Sequence, residues 1–288
     1  MISVVILTFN SMHFISLCLD SLLRQDSGEI EIIVVDNSSC DGTGDFVRDN
    51  YPQVKLIKNS SNEGAAKARN QGIEAAKGEW ILTLDCDVAV NGDFFRKARS
   101  FLSGAGPCVG SVQPKILDAQ GAHIYSTGIA ISFLKRFRDV GMGRNVRSGY
   151  NRIASRFGSC SAAAFYRKDM LEKVKEDSGY FDERFFFLFE DVDLSWRCRK
   201  KGYKTVFFPD AVCRHHGDSS HTGKKTRQYL CLRNRYYTLL KNDSMANCVI
   251  PFLFYDLPRL LWIMLTNRFS LRAVGEAIRY GDGLARGR

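Results

Sequence analysis

Short apolar runs at residues 4–9, 30–35, 54–57 and 80–84 each break off into polar or glycine-rich residues. Runs of this length, rich in Val, Ile and Leu, predict strands buried on both faces. Between them, helical spacing covers residues 14–23, 42–50 and 65–77, the last stretch rich in alanine and closed by Gly78. Buried strands alternating with helices predict an α/β fold with a mostly parallel central sheet and right-handed crossovers. Such sheets bind ligands beyond the C-terminal ends of their strands, which directs attention to the polar residues after each run.

The alternation weakens between residues 108 and 165. A basic, glycine-punctuated stretch at 135–156 reads as a mobile loop, either a lid or acceptor-binding segment or a plain exposed connection. Helical spacing returns at 169–175, followed by the aromatic cluster GYFDERFFFLFEDVDLSWR, the strand-like TVFFPDAVCRH and a helix over 227–240. Residues 249–265, VIPFLFYDLPRLLWIML, are strongly apolar but interrupted by Pro251, Asp256, Pro258 and Arg259. A spanning helix needs about 20 predominantly apolar residues and rarely tolerates such charges. An interfacial segment is the preferred reading, with Tyr255, Trp262, Arg268 and Arg272 suited to a membrane boundary; a helix packed on the core is the alternative.

Charge changes the picture only near the end of the chain. The formal net charge is +10, yet residues 197–288 alone hold 18 Lys and Arg against 6 Asp and Glu. A basic C-terminal third attracts nucleic acid, anionic lipid or a diphosphate ligand, unless it is simply a solvated face. The 288 residues suit one domain at 1–242, in two halves of about 1–117 and about 118–242, then a basic, apolar helical segment at 243–288. Nine scattered cysteines without a CxxC pair exclude a disulfide framework and a structural zinc site. The opening residues carry no signal-peptide pattern, and the expected location is the cytoplasm, against the inner face of the cell membrane.

Five groups of residues are candidates for chemistry. Thr8 and Asn10 after the first run, with Asp36 after the second, suit recognition of a base and ribose, although Asp36-Asn37-Ser38-Ser39 can equally form a turn and cap. Asn62 opens the alanine-rich helix and Arg69 lies on its face, where small residues permit close ligand approach or merely tight packing. Asp85 and Asp87, one residue apart at a strand end, can hold a divalent cation against a diphosphate. Glu190 and Asp191 lie among aromatics that can raise a carboxylate's pKa into a range useful for a general base, or else they begin a helix with Asp193. His215, ahead of His216 and the Gly217-Asp218-Ser219-Ser220 run, can complete a metal shell or touch a diphosphate.

In order along the chain, VVILTFN, VVDNSSCDGT, NEGAAKARNQG, LDCDV, FEDVDLSWR and the HHGDSS region resemble glycosyltransferase family 2 over roughly the first 240 residues, and especially its bacterial rhamnosyltransferase-like branch. The resemblance implies a GT-A fold, a nucleotide-diphosphate sugar donor, a divalent metal (Mg²⁺ or Mn²⁺) and inversion at the anomeric carbon. It assigns Thr8, Asn10 and Asp36 to the nucleoside and puts Asn62 and Arg69 near the donor. Asp85 and Asp87 go to the metal, Asp191 to the base, Glu190 to orientation of acceptor or donor, and His215 to metal or diphosphate. Trp196 and Arg197 would support the helix behind the base. Asp85-Cys86-Asp87 is more acidic than many members of that branch. That departure leaves the donor sugar open; the resemblance makes dTDP-rhamnose the first donor to consider and a UDP-hexose the second, with a glycan or lipid-diphosphate-linked acceptor in cell-surface polysaccharide assembly.

Rival readings separate on the same residues. A glycoside hydrolase would use two carboxylates without a nucleotide edge. A dinucleotide oxidoreductase would need GxGxxG where this chain has TFNSMHF. A non-catalytic membrane- or nucleic-acid-binding protein on a transferase-like scaffold would use the basic tail alone.

Overall fold

The computed structural model describes residues 1–25, 30–217 and 222–286. Four strands, β1 (Ile2–Thr8), β2 (Ile30–Asp36), β3 (Lys55–Lys58) and β4 (Trp80–Asp85), alternate with helices α1 (Ile15–Leu23), α2 (Thr43–Asn50) and α3 (Ala65–Ala75). Then follow β5 (Val88–Val90), α4 (Phe94–Ser103), β6 (Val109–Asp118), β7 (Ile124–Ser126), β8 (Ile129–Ile131), β9 (Phe137–Asp139), β10 (Ala154–Arg156) and β11 (Ala163–Arg167). The chain continues through α5 (Lys168–Val174), α6 (Glu190–Lys200), β12 (Lys204–His215) and α7 (Lys224–Asn242). The main sheet runs β10-β12-β6-β11-β4-β1-β2-β3. Along this path the strands are parallel except β11 and β10, which oppose their neighbours; the short β5 and β7, attached to β12 and β6, are antiparallel too.

Helices cover both faces of this sheet, which is why its inner strands read as unbroken apolar runs. Ile2, Val4 and Ile6 of β1 pack on the side of α1, α2 and α4, with Leu19, Val47 and Phe95. Val5 points to the opposite side, with Ala66 and Ile73 of α3 and Met170 of α5. The period of two decides the strand ends as well. Thr8 and Asp36 share the face of Ile6 and Val34, whereas Asp85 shares the α3 face with Ile81.

The stretch at 135–156, expected as a mobile loop, is a hydrogen-bonded structure. β9 pairs with β8, Thr127 N donates to Val140 O at 3.1 Å, and Ile124 N donates to Arg144 O at 2.8 Å. The pattern was missed because a three-residue strand carries too few positions to display a period.

Beyond α7, the chain forms α8 (Met245–Pro251), a π-helical stretch (Phe252–Asp256), α9 (Leu257–Thr266) and α10 (Arg272–Arg286). By length and composition, Met245–Thr266 is sufficient to cross a membrane. Phe254 and Leu265 are 71% and 87% exposed, so the segment is not the core-packed helix of the alternative reading. Asp256 turns inward instead, forming a buried pair with Arg235 of α7 at 2.7 Å. α10 lies along α7, with Tyr280 stacked on Tyr237 at 4.0 Å.

Candidate active site

Parallel register brings the ends of three strands to one edge, with Thr8 opposite Asp36 and Leu7 opposite Asp85. Beyond this edge lies a cavity of about 590 Å³ that contains residues from both halves of the chain. Of the sequence candidates, Asn62, Arg69, Asp85, Asp87, Glu190, Asp191 and His215 line it; Thr8, Asn10 and Asp36 do not. Asp36 follows the parity of its strand into the α2 face, where a Cβ on Gly44 would come within 2.2 Å of its Oδ2. Asn10 Oδ1 accepts from Cys40 N at 2.7 Å, so it ties the two strand-end loops together. Their neighbours Phe9 and Asn37 face the cavity instead. Asn37 Nδ2 donates to Asn62 Oδ1 at 2.8 Å.

The acidic turn after β4 faces the end of β12, because β5 pairs with β12 and sets Val88 opposite His215. His215 Nε2 lies 3.3 Å from Asp87 Oδ1, and ligand atoms of Asp85, Asp87 and His215 all fall within 4.8 Å of one another. Two carboxylates and an imidazole are a donor set for Mn²⁺ or Mg²⁺. His215 Nδ1 is buried without a hydrogen-bond partner among the described residues, so hydrogen bonding to protein does not account for the whole ring. Tyr125 covers it, ring centroids 4.2 Å apart. His216 sits outside this cluster and donates its backbone N–H to Asp87 O at 2.8 Å. Asp218, Ser219 and Ser220 lie outside the described residues.

Arg69 joins the two acidic groups. Its guanidinium donates to Asp85 Oδ1 at 2.8 Å and to Glu190 Oε1 at 2.5 Å. Burial alone would lower its pKa, but Asp85 and Glu190 outweigh that and raise it. Burial raises Glu190 above the ordinary carboxylate range, with Arg69 opposing. Asp191 is pushed up to about 7, first by burial in the cavity wall and then by the charges of Glu190 and Asp139. Ser161 N donates to it at 3.3 Å. Asp193, one turn edge further, faces away and is consumed by Arg197 at 2.9 Å and Lys241 at 3.0 Å. Arg197 also donates to the carbonyls of Val174 and Tyr180, a purely structural set of contacts.

The loop leading into α6 has an unusual backbone. Phe186, Leu188 and Phe189 have φ of 65°, 71° and 71°, where bulky L-residues cost about 1–2 kcal/mol each. Gly64 permits this loop to approach α3, since a Cβ there would lie 2.6 Å from Phe186 O. Ala66 N then donates to that carbonyl at 3.2 Å.

Three charged lining residues escaped the sequence reading. Asp139 ends β9, is raised by burial, and accepts from Ser126 Oγ at 2.6 Å. Arg138 precedes it, and Arg227 of α7 lies at the mouth. A carboxylate and a cation in adjacent positions of a basic stretch gave no signal that separated them from surface charge.

The sequence pattern of Glycosyl transferase family 2 matches residues 3–174. The N-acetylglucosaminyl-diphospho-decaprenol L-rhamnosyltransferase of Mycobacterium tuberculosis is 25% identical over 262 aligned positions, covering 81% of either chain. The succinoglycan biosynthesis protein ExoO of Rhizobium meliloti is 34% identical over 128 positions, 43% of this chain and 37% of that protein. This chain thus spans little more than a third of ExoO. Among solved structures, S. aureus TarS 1–349 in complex with UDP-GlcNAc superposes with a TM-score of 0.63 at 19% identity, covering 97% of this chain and 81% of that one. The Pyrobaculum calidifontis mannosyltransferase PcManGT, in complex with GDP-Man and Mn²⁺, gives 0.58 at 20% identity, covering 99% and 79%. These two likenesses establish the GT-A fold.

Proposed function

Because the chain belongs to glycosyl transferase family 2, we propose that it transfers a sugar, with inversion, from a nucleotide-diphosphate donor to a hydroxyl of a lipid-diphosphate-linked glycan in cell-surface polysaccharide assembly. The observation that carries this reading is one cavity lined both by the Asp85, Asp87 and His215 cluster and by Asp191, whose carboxyl burial pushes up to about 7. Rhamnose from dTDP-rhamnose is the first donor to test, in keeping with the mycobacterial relative's name; a hexose from a UDP-sugar is the second.

The chemistry divides between two groups of residues that line the cavity. Asp191 accepts the proton of the acceptor hydroxyl as its oxygen attacks the anomeric carbon. The bond from that carbon to the diphosphate oxygen breaks, and the nucleoside diphosphate leaves with the electron pair. One displacement inverts the configuration. Asp85, Asp87 and His215 would hold Mn²⁺ or Mg²⁺, which supplies positive charge against the departing diphosphate. Arg69 bridges Asp85 and Glu190 and holds them in register, and Glu190 orients the sugar beside Asp191. Asn37, Asn62 and Phe9 would meet the nucleoside, while Arg138, Asp139 and Tyr125 form the acceptor side.

In this reading residues 1–242 are the catalytic unit, the donor half ending near 117, and residues 243–288 meet the inner face of the cell membrane. The exposed Phe254, Leu261, Trp262 and Leu265 beside Arg268 and Arg272 support a peripheral contact with anionic lipid. The test is a thermal-shift panel of UDP, dTDP and GDP and their sugars, with and without Mn²⁺. A metal-dependent rise with one nucleotide supports the donor site and identifies its base. No rise with any of them would refute it.

A further inference from the structure

The wall that carries Asp191 is held from behind by α7. Asn234, fully buried, donates Nδ2 to the carbonyls of Phe185 at 3.0 Å, Phe187 at 2.8 Å and Leu188 at 2.6 Å. An amide has two N–H donors, so three acceptors around one nitrogen are gathered more tightly than satisfying that amide requires. The gathered carbonyls belong to the segment in which Phe186, Leu188 and Phe189 are left-handed. A backbone of this kind persists only where its surroundings over-determine it. Phe189 is the N-cap of α6, and Asp191 follows two residues later. The conformation of this loop therefore sets where α6 begins and which way its first turn points.

Two neighbours sharpen the argument. Arg233 Nη2 donates to Phe185 O at 2.8 Å, bracing the start of the loop, while Phe186 O accepts from Ala66 on the donor side. The loop is thus stretched between α3 and α7, with Asp191 at its exit. None of the side chains of α7 that do this holding faces the cavity.

We propose that Asn234 is a positioning residue for the base, fixing the loop shape that delivers the Asp191 carboxylate to the acceptor hydroxyl. The proposal rests on Asp191 acting as the base. Misplacement of a reacting group by 1 Å can cost about 100-fold in rate, so the effect falls on kcat and leaves donor binding, which uses α3 and the β4 turn, nearly unchanged.

The test compares full-length wild type with Asn234→Ala and Asn234→Ser, the latter keeping one short donor if the former fails to fold. Transfer from dTDP-rhamnose and UDP-sugars to a prenyl-diphospho-N-acetylglucosamine is measured alongside a ¹³C carboxyl titration of Asp191, assigned with Asp191→Asn. The expected result is a kcat lower by about 30-fold or more, a donor KM within about threefold, and a displaced Asp191 midpoint. Variants that are folded, keep kcat within about threefold and titrate Asp191 as wild type does would overturn the proposal, whatever their melting temperature. Full transfer by Asp191→Asn would remove the base assignment instead. The carboxyl titration alone would then decide whether Asn234 shapes this wall, as it also would if wild type turned over none of these donors.

Discussion

Replacing Asp191 by Asn should abolish transfer and at the same time stabilise the fold. The carboxyl titrates at about 7 in the folded chain, against a reference of 3.8. The folded pKa is raised, so ionising this group opposes folding: the penalty is absent below the unfolded value, grows between the two and is complete above about pH 7. Just over three pKa units correspond to at most about 4 kcal/mol. Asp191 keeps an edge in the open cavity, and solvent there reduces the effect to about 2 kcal/mol. For a chain of this size that is a rise of about 4–8 °C in Tm for the Asn variant at pH 8. At pH 5 the folded carboxyl is neutral while the unfolded one is already ionised, so only a little over a third of that gap is present, and the two proteins should differ correspondingly less. Melting curves at pH 5 and pH 8 with chelator present, paired with a transfer assay, make the comparison. In the same assay, wild-type kcat/KM should rise about tenfold between pH 6 and pH 8 as the base ionises. Equal stability at pH 8, or retained transfer, would refute both the burial argument and the role built on it.

Further perturbations address the rest of the site and the C-terminal segment. Asp87→Ala and His215→Ala should each raise the Mn²⁺ concentration needed for a nucleotide-induced thermal shift by about tenfold or more, without altering melting in the absence of metal by as much as loss of a core residue does. Asp139→Asn should raise the acceptor KM by about tenfold, while the donor-induced thermal shift stays as in wild type; an unchanged acceptor KM would remove Asp139 from the acceptor side. Arg235→Met leaves Asp256 buried and unpaired and should cost about 3–5 kcal/mol in urea unfolding, most of which returns in the double variant with Asp256→Leu.

What could be read from the sequence was set by how far each residue's partners lie along the chain. The strands β1, β2 and β4 announce themselves because burial on both faces leaves their interiors almost wholly apolar, with only Ser3, Glu31 and Thr83 as exceptions. That same saturation hides their parity, and so Asp36 was chosen where Asn37 faces the cavity. The acidic turn at Asp85 and the pair at Glu190 and Asp191 are visible because a carboxylate after an apolar strand, or amid aromatics, is out of place unless it has a task. Their meeting through Arg69, across 121 residues of chain to Glu190, has no local trace. Asp139 shows the limit most plainly. Its burial comes from β7 and from the loop before β11, and nothing next to it in the chain distinguishes it from the exposed arginines around it.

The basic C-terminal third carries a related lesson about charge. Lys241 contacts Glu176, Asp182 and Asp193 at 2.6–3.0 Å, Arg235 is closed onto Asp256, and Arg197 is held by Asp193. These cations hold α6 and α7 to the body of the fold, and their field is spent on buried carboxylates. The charge left to meet a partner is carried by exposed residues such as Lys224, Lys225, Arg268 and Arg272. Two of those, Arg268 and Arg272, adjoin the exposed apolar segment, and Arg227 lies at the cavity mouth. A summed charge therefore overstates attraction to an anionic surface, and its location supplies the missing part. Exposed cations are not confined to those places, since Arg199, Lys200, Lys201, Lys204, Arg214 and Arg279 also face solvent, so only part of the remaining charge is positioned to meet a phosphate-bearing partner at the apolar segment or the cavity.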